Sequence, residues 1–171
     1  FFCFGVIALL SAAFYFRLAR ENLIRNYESY AISMASMLND TVMKEFVAPK
    51  VSAGVPIDVE ANPAQYEELS AVLRKHLERF PVRKIKIYDP AGKIIYSDDR
   101  SLVGIANPEN EKFRKALAGR ITSFLLLHQM GGDTGTETLS ADLLEVYVPV
   151  GGEGSSAVTG VFEVYLDVTL L

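Results

Sequence analysis

Few residues in this chain could do chemistry on their own. There are two histidines and one cysteine in 171 residues. His76 lies among Arg74, Lys75, Glu78 and Arg79 on a helical stretch and reads as a solvated side chain. His128 ends a strand; no nucleophile stands at a recognisable spacing from it, so a structural role is the simpler reading. Cys3 has no second cysteine to meet, which excludes an internal disulfide, a thiolate zinc site and a CxxC redox pair. Gly131-Gly132-Asp133-Thr134-Gly135 lacks the lysine with which a phosphate loop meets its nucleotide. Gly152, Gly154 and Ala157 fit a loose G-x-G-x-x-A pattern. A strand follows rather than a helix, so no helix N-terminus would face a pyrophosphate. Asp98 and Asp99 could touch a hard cation, but the calcium-loop spacing is absent and a solvated turn fits better. Asn39-Asp40-Thr41 matches a glycosylation acceptor within a helical stretch. These readings leave no catalytic residue, no metal site and no cofactor.

Binding chemistry is better represented. Arg79, Arg83, Lys84 and Lys86 gather near one strand, and Lys112, Arg114, Lys115 and Arg120 around a short helix. A mixed-charge surface accounts for most of them. One or two could cap an anionic ligand, since the planar arginine fork pairs bidentately with carboxylates. Tyr88, Tyr96 and Tyr147 fall on strands beside Ser97 and Ser123. Amphipathic tyrosines on a sheet can wall a small polar pocket, or can be ordinary core residues. The candidate ligand-binding set is therefore Tyr88, Tyr96, Ser97, Arg114, Ser123, His128 and Tyr147, and the expected ligand a small molecule, with an anionic metabolite the class these cations suit.

The elements that must position these residues follow from periodicity. From Arg17 to about Val47, Leu23, Tyr27, Tyr30, Met34, Met37 and Thr41 make one helical stripe, widened by Ile24, Ala31 and Leu38. Most of it should pack within the domain, with dimer contact toward the N-terminal end. Pro49 is expected to stop that helix, and VSAGVPIDVEA to form a loop. Asn62-Pro63 reads as an N-cap and first helical residue, with Tyr66, Leu69, Val72, Leu73, Leu77 and Phe80 on one face before Pro81. The period then changes to two. Strands are expected at 83–89, 93–97, 120–129, 142–150 and 157–168, with a turn at Asp89-Pro90-Ala91-Gly92. A short helix opens at Asn107-Pro108 and ends at Gly119, and residues 130–141 and 151–156 are loops. Short connections imply an antiparallel sheet, and strands apolar on both faces need cover on both sides. The fold class is α+β: a central five-stranded antiparallel sheet, the long N-terminal helix on one face, the short helix and loops on the other.

Half the residues are apolar and 22% are charged, which excludes wholesale disorder. A net charge of −4 argues against a nucleic-acid partner. Phe1 to Phe16 carries no charge and no proline. As a helix it spans roughly 24 Å, against about 30 Å of bilayer hydrocarbon. With no initiating Met and no small-x-small cleavage site, it is expected to be the C-terminal part of a transmembrane helix. The division is then 1–17, a partial membrane helix, and 18–171, the domain that follows. Arg17 and Arg20 hint by themselves that this side is cytoplasmic.

The segment KIKIYDPAGKIIYSDDRSLVGI resembles the central hairpin of extracytoplasmic PAS-like sensor domains, often called CACHE or PDC domains. The likeness continues through FRKALAGRITSFLLLHQ, DLLEVYVPV and GVFEVYLDVTLL, the last similar to a closing strand that precedes a second membrane helix. It covers roughly Leu18 to Leu171. The dimer contact read from the helical stripe makes a homodimer the expected assembly. The resemblance implies a PAS-like fold and a sensory, non-catalytic segment of a bacterial receptor. It implies a place outside the cytoplasmic membrane, against the hint from Arg17 and Arg20, and a cytoplasmic output such as a histidine kinase or diguanylate cyclase. The loop MGGDTGTETLSA departs from the charged, aromatic stretch of relatives, and no amino-acid or citrate signature is present. A membrane-anchored dimerisation module without a ligand is the other reading.

Overall fold

Prolines, asparagines and one change of period divide the chain. The computed structural model describes residues 2–130, 140–151 and 157–169. Helix α1 runs unbroken over Phe2–Val42, so the apolar run and the amphipathic stretch form one rod. Among the described residues no helix is long and apolar enough to cross a membrane. The stripe buries Ala31, Met34, Ala35 and Leu38, with Ile24, Tyr27, Tyr30 and Met37 packed at its margins. Phe14, Tyr15 and Phe16 remain exposed.

Pro49 does not end the helical path. The chain widens into a π turn at Met43–Val47, where the Ala48 amide donates to the Met43 carbonyl, and then continues as α2, Ala48–Ser52. Pro49 enters at the first turn of α2, where a missing amide hydrogen costs nothing. Lys50 of α2 is buried over the Phe46 ring and reaches Glu68 at 2.6 Å. Helix α3, Pro63–Leu77, begins as its residues require: Asn62 accepts from the Ala64 and Gln65 amides.

The strands are β1 (Val82–Tyr88), β2 (Ile94–Ser97), β3 (Thr122–Met130), β4 (Ser140–Val150) and β5 (Gly160–Asp167). Between β1 and β2, Asp89 accepts from the Ala91 and Lys93 amides, and Gly92 takes the positive φ of 81°. Helix α4 is shorter than its sequence suggests, Glu111–Leu117. Asn107-Pro108 forms a turn, with the Asn110 amide donating to the Asn107 carbonyl, and Asn110 is the cap. The expected loops at 130–141 and 151–156 fall largely on 131–139 and 152–156, outside the described residues.

The five strands form one antiparallel sheet in the order β2-β1-β5-β4-β3. Alternation sends Ile85, Ile87, Leu144, Val146, Val148, Phe162, Val164 and Leu166 to one face, against α1 and α3, as the main core. The other face packs Tyr88, Tyr147 and Val161 against Phe113 and Ala116 of α4. The fold is thus the expected three-layer α+β arrangement, with α1 and α3 on one side of the sheet and α4 on the other.

Candidate functional site

The tripeptide Glu-Val-Tyr occurs twice, as Glu145-Val146-Tyr147 in β4 and Glu163-Val164-Tyr165 in β5. Within a strand, residues two apart share a face, so each glutamate sits beside its own tyrosine. The antiparallel register then crosses the two pairs: Glu145 lies opposite Tyr165, and Tyr147 opposite Glu163. All four side chains stand on the α4 face. Lys86 and Tyr88 of β1 join them there, because Lys86 lies opposite Glu163.

The result is a buried polar cluster. Glu163 is 1% exposed and Glu145 4%. Two isolated carboxylates so placed would be prohibitively unstable, and each has a lysine. Lys86 Nζ donates to Glu163 Oε1 at 2.6 Å. Lys112 Nζ, carried on α4, donates to Glu145 Oε2 and lies 4.3 Å from the centre of the Phe124 ring. The Tyr88 hydroxyl donates to Glu163 Oε2, and the Tyr147 hydroxyl to Glu145 Oε1 at 3.1 Å. Tyr165 sits between the carboxylates, 2.5 Å from Glu163 Oε1 and 3.0 Å from Glu145 Oε1. Its single proton serves one of them at a time. Asn110, the α4 cap residue, donates Nδ2–H to the Tyr147 hydroxyl at 3.3 Å.

The electrostatics follow from these contacts. Burial alone would raise the Glu163 carboxyl. The hydrogen bond and charge of Lys86, with the Tyr165 and Tyr88 hydroxyls, outweigh it and hold the group below the usual carboxylate range. Burial, then the charge of Glu163, pushes Tyr88, Tyr147 and Tyr165 far above the ordinary phenol range. These three therefore act as neutral donors at any physiological pH. Nothing in the cluster is poised as a nucleophile. Among the described residues no group of His, Cys, Asp or Glu is placed to hold a metal ion.

Of the candidate residues, the structure brings Tyr88 and Tyr147 together in this cluster. Tyr96 faces the opposite side of the sheet and stacks on Tyr66, ring centres 5.7 Å apart. Ser97 is fully buried at the end of β2, where its Oγ accepts from the Asp99 amide at 3.1 Å. Ser123 faces α1 and donates to Glu28. Arg114 points outward with 64% of its side chain exposed, 3.6 Å from Glu109. His128 lies in β3, and its side chain is outside the described residues. The two cations that do enter are Lys86 and Lys112, one from each basic group, and they meet the protein's own carboxylates. Glu145 and Glu163 were not singled out by type or spacing. Their signal was the repeated Glu-Val-Tyr inside otherwise apolar strands.

No family model matches the sequence, and no curated protein matches it. Solved structures are similar in fold. The sensor domain of the histidine kinase DctB from V. cholerae is 18% identical with a TM-score of 0.49, over 90% of this chain and 55% of that one. The E. coli DcuS sensor domain is 14% identical with a TM-score of 0.48, over 86% and 94%. A domain of a sensory box/GGDEF family protein from Vibrio parahaemolyticus is 13% identical with a TM-score of 0.49, over 86% and 56%. The chain thus spans little more than half of the first and third. All three are sensor or sensory-box domains.

Proposed function

We propose that this chain is the extracytoplasmic sensory domain of a bacterial membrane receptor, with its signal received on the α4 face of the sheet. In this reading residues 1–17 end a membrane helix, 18–171 lie outside, and a homodimer passes the signal to a cytoplasmic output such as a histidine kinase or diguanylate cyclase. The observation that carries it is the Lys112–Glu145 contact. A seven-residue helix is fastened to a buried carboxylate by one lysine that is itself a third exposed. A small polar molecule entering beneath α4 can exchange with either partner: an ammonium for Lys112, a carboxylate for Glu145. Either exchange breaks the Lys112–Glu145 link while Phe113 and Ala116 keep α4 packed, so occupied and unoccupied arrangements differ in a defined contact, as a two-state receptor requires.

The path outward is short. The Asp167 amide, at the end of β5, donates to the Pro81 carbonyl at 2.8 Å. Its neighbour Phe80 packs on Tyr30 of α1, ring centres 5.5 Å apart. Incoming helix and outgoing strand therefore touch through one intermediary, and a shift of the sheet moves both.

Thermal unfolding of the full chain against small carboxylates, amino acids and amines tests the proposal. A ligand at a hundredfold its Kd stabilises by about 2.7 kcal/mol, roughly 5–10 °C for a domain of this size. We expect one such ligand: in Lys112→Ala the effect of a carboxylate should be lost, and that of an amine strengthened, since Glu145 is left without its own ammonium. Stabilisation by none would favour a dimerisation module, for which the exposed Phe14, Tyr15 and Phe16 offer a surface.

A further inference from the structure

We propose a second binding site on the opposite face of the sheet, for a neutral apolar small molecule. A cavity of about 460 Å³ lies between the far end of α1 with its π turn, residues 57–60 of the following loop, and the β1–β2 hairpin. Met43, Phe46 and Val47 line one side, Ile57 and Val59 the loop side, and Ile95 the hairpin side. Its volume is that of small-molecule pockets. At roughly 30 Å³ per water-sized group it holds on the order of fifteen non-hydrogen atoms.

The loop over this cavity is built, not slack. The Gln65 amide side chain grips it from both directions: Nε2–H donates to the Pro56 carbonyl and Oε1 accepts from the Asp58 amide, each at 2.8 Å. Ile57 is held between those two points. At the other end Glu60 pairs with Lys93 of the hairpin. Gly104 makes room for that latch, since a Cβ there would lie 2.6 Å from Glu60 Oε1 and its φ is 91°. The latch is about half exposed, so it can open without disturbing the core.

The charge at the rim bears on the ligand class, because three carboxylates stand there with one ammonium. Asp58 accepts from the Ala61 amide at 2.9 Å, Asp89 from the Ala91 and Lys93 amides, and Glu60 and Lys93 face each other. Thr159 donates to the Val150 carbonyl at 3.2 Å. Asn39 presents a half-buried amide at the margin. An anion entering here would lose its water and face three carboxylates against one ammonium, Lys93, already held by Glu60. A neutral apolar molecule with one hydroxyl could bury its body against Phe46 and Val59 and meet Asn39 with that group. Such a ligand would press on the π turn, the place where α1 already departs from regular winding. It stands apart from the α4 face and does not depend on the function proposed there.

Methyl NMR of the full chain, labelled at methionine, tests this with a matched pair: 2-naphthol, and 2-naphthoate with the same ring and a carboxylate. The Met43 signal should shift saturably with 2-naphthol, and 2-naphthoate should bind at least about tenfold more weakly. Val59→Trp should fill the space and Ile57→Lys should charge it, each weakening 2-naphthol by at least about tenfold. Ile57 is exposed, so that variant keeps the test if Val59→Trp misfolds. A Met43 signal that does not move, equal binding of 2-naphthoate, or full binding by folded Ile57→Lys overturns the proposal.

Discussion

Replacing Lys86 by methionine keeps the length of the side chain and removes the cation from Glu163. In the folded protein the two charges are 2.6 Å apart, the carboxylate fully buried and the lysine nearly so. At an effective dielectric of about 20 their attraction is about 6 kcal/mol. Tyr88 and Tyr165 still donate to the stranded carboxylate, and some water follows it, so the loss is smaller. Breaking one side of a buried pair costs roughly 3–5 kcal/mol, and with two donors remaining we expect about 3–4. For a domain of this size that lowers the melting temperature by roughly 6–16 °C. The pH dependence is diagnostic. Glu163 is held below its ordinary value in the native state. Its stabilisation is present above the unfolded value and is lost as pH falls through the lower folded one. Without Lys86, burial dominates and the carboxyl rises, so in the variant it takes up a proton as the pH drops below neutral. The gap between wild type and variant should be widest near pH 7–8 and shrink toward pH 4.5. Adding Glu163→Gln to Lys86→Met should recover part of the loss at neutral pH. Urea titrations at pH 7.5 and 4.5 measure all three. A Lys86→Met protein as stable as wild type at pH 7.5, or a gap of the same size at both pH values, refutes the argument.

Two further substitutions probe the frame around the cluster. Asn62→Ala removes the side chain that accepts from the Ala64 and Gln65 amides, and should lower stability by about 1 kcal/mol in urea titration, with Asn62→Asp nearly neutral. Asp167 accepts from Thr169 and Arg83, and its carboxyl is held down to about 2, first by the Thr169 hydroxyl and amide and then, against slight burial, by Arg83. Because that value is depressed, its contribution is full above pH 4 and fades as pH falls toward 2. Asp167→Asn should cost about 1 kcal/mol at pH 7 and almost nothing at pH 2.

The fold was legible because its punctuation is chemical. Asn62-Pro63 can do little except start a helix, Asp89-Pro90-Ala91-Gly92 turns the chain, and the change to period two after Pro81 announces the sheet. Boundaries failed where two signals competed. Asn107-Pro108 and Asn110 both offer caps, and the second prevails because Asn110 also reaches Tyr147. Pro49 reads as a stop, yet a π turn and a new first helical turn admit it. The site was less legible, because it is made by register. A lone glutamate in an apolar strand reads as a solvated position. Only the pairing of β4 with β5 shows that Glu145 and Glu163 meet each other's tyrosines under α4. Tyr88 and Tyr147, expected from type and strand position to wall a pocket, stand in that cluster. Arg114 was chosen for its fork, but its place on α4 turns it to water, whereas Lys112, two residues earlier, points to the sheet.

Strand β3 suggests how the two faces of the sheet could be coupled. Ser123 and Phe124 are consecutive, so their side chains leave on opposite faces. Phe124 lies under the Lys112 ammonium on the α4 side, and Ser123 donates to Glu28 of α1 on the other. Movement of Lys112 therefore acts on a residue whose neighbour grips the long helix, one peptide away. If that step carries free energy, Lys112→Ala and Ser123→Ala will not be independent. Each alone should destabilise, by about 1–3 kcal/mol for the lysine, whose loss strands Glu145, and about 1 kcal/mol for the serine hydrogen bond. Sites that do not communicate add within about 0.3–0.5 kcal/mol, and coupled ones depart by more. We expect the double variant to be less destabilised than the sum by at least about 0.5 kcal/mol, because once the Lys112–Glu145 link is gone the Ser123–Glu28 contact has less to hold in place. The same cycle with Asn62→Ala in place of Ser123→Ala should be additive, since Asn62 touches neither face of β3. Additivity in the first cycle would break the proposed route from α4 to α1 while leaving the cluster itself intact.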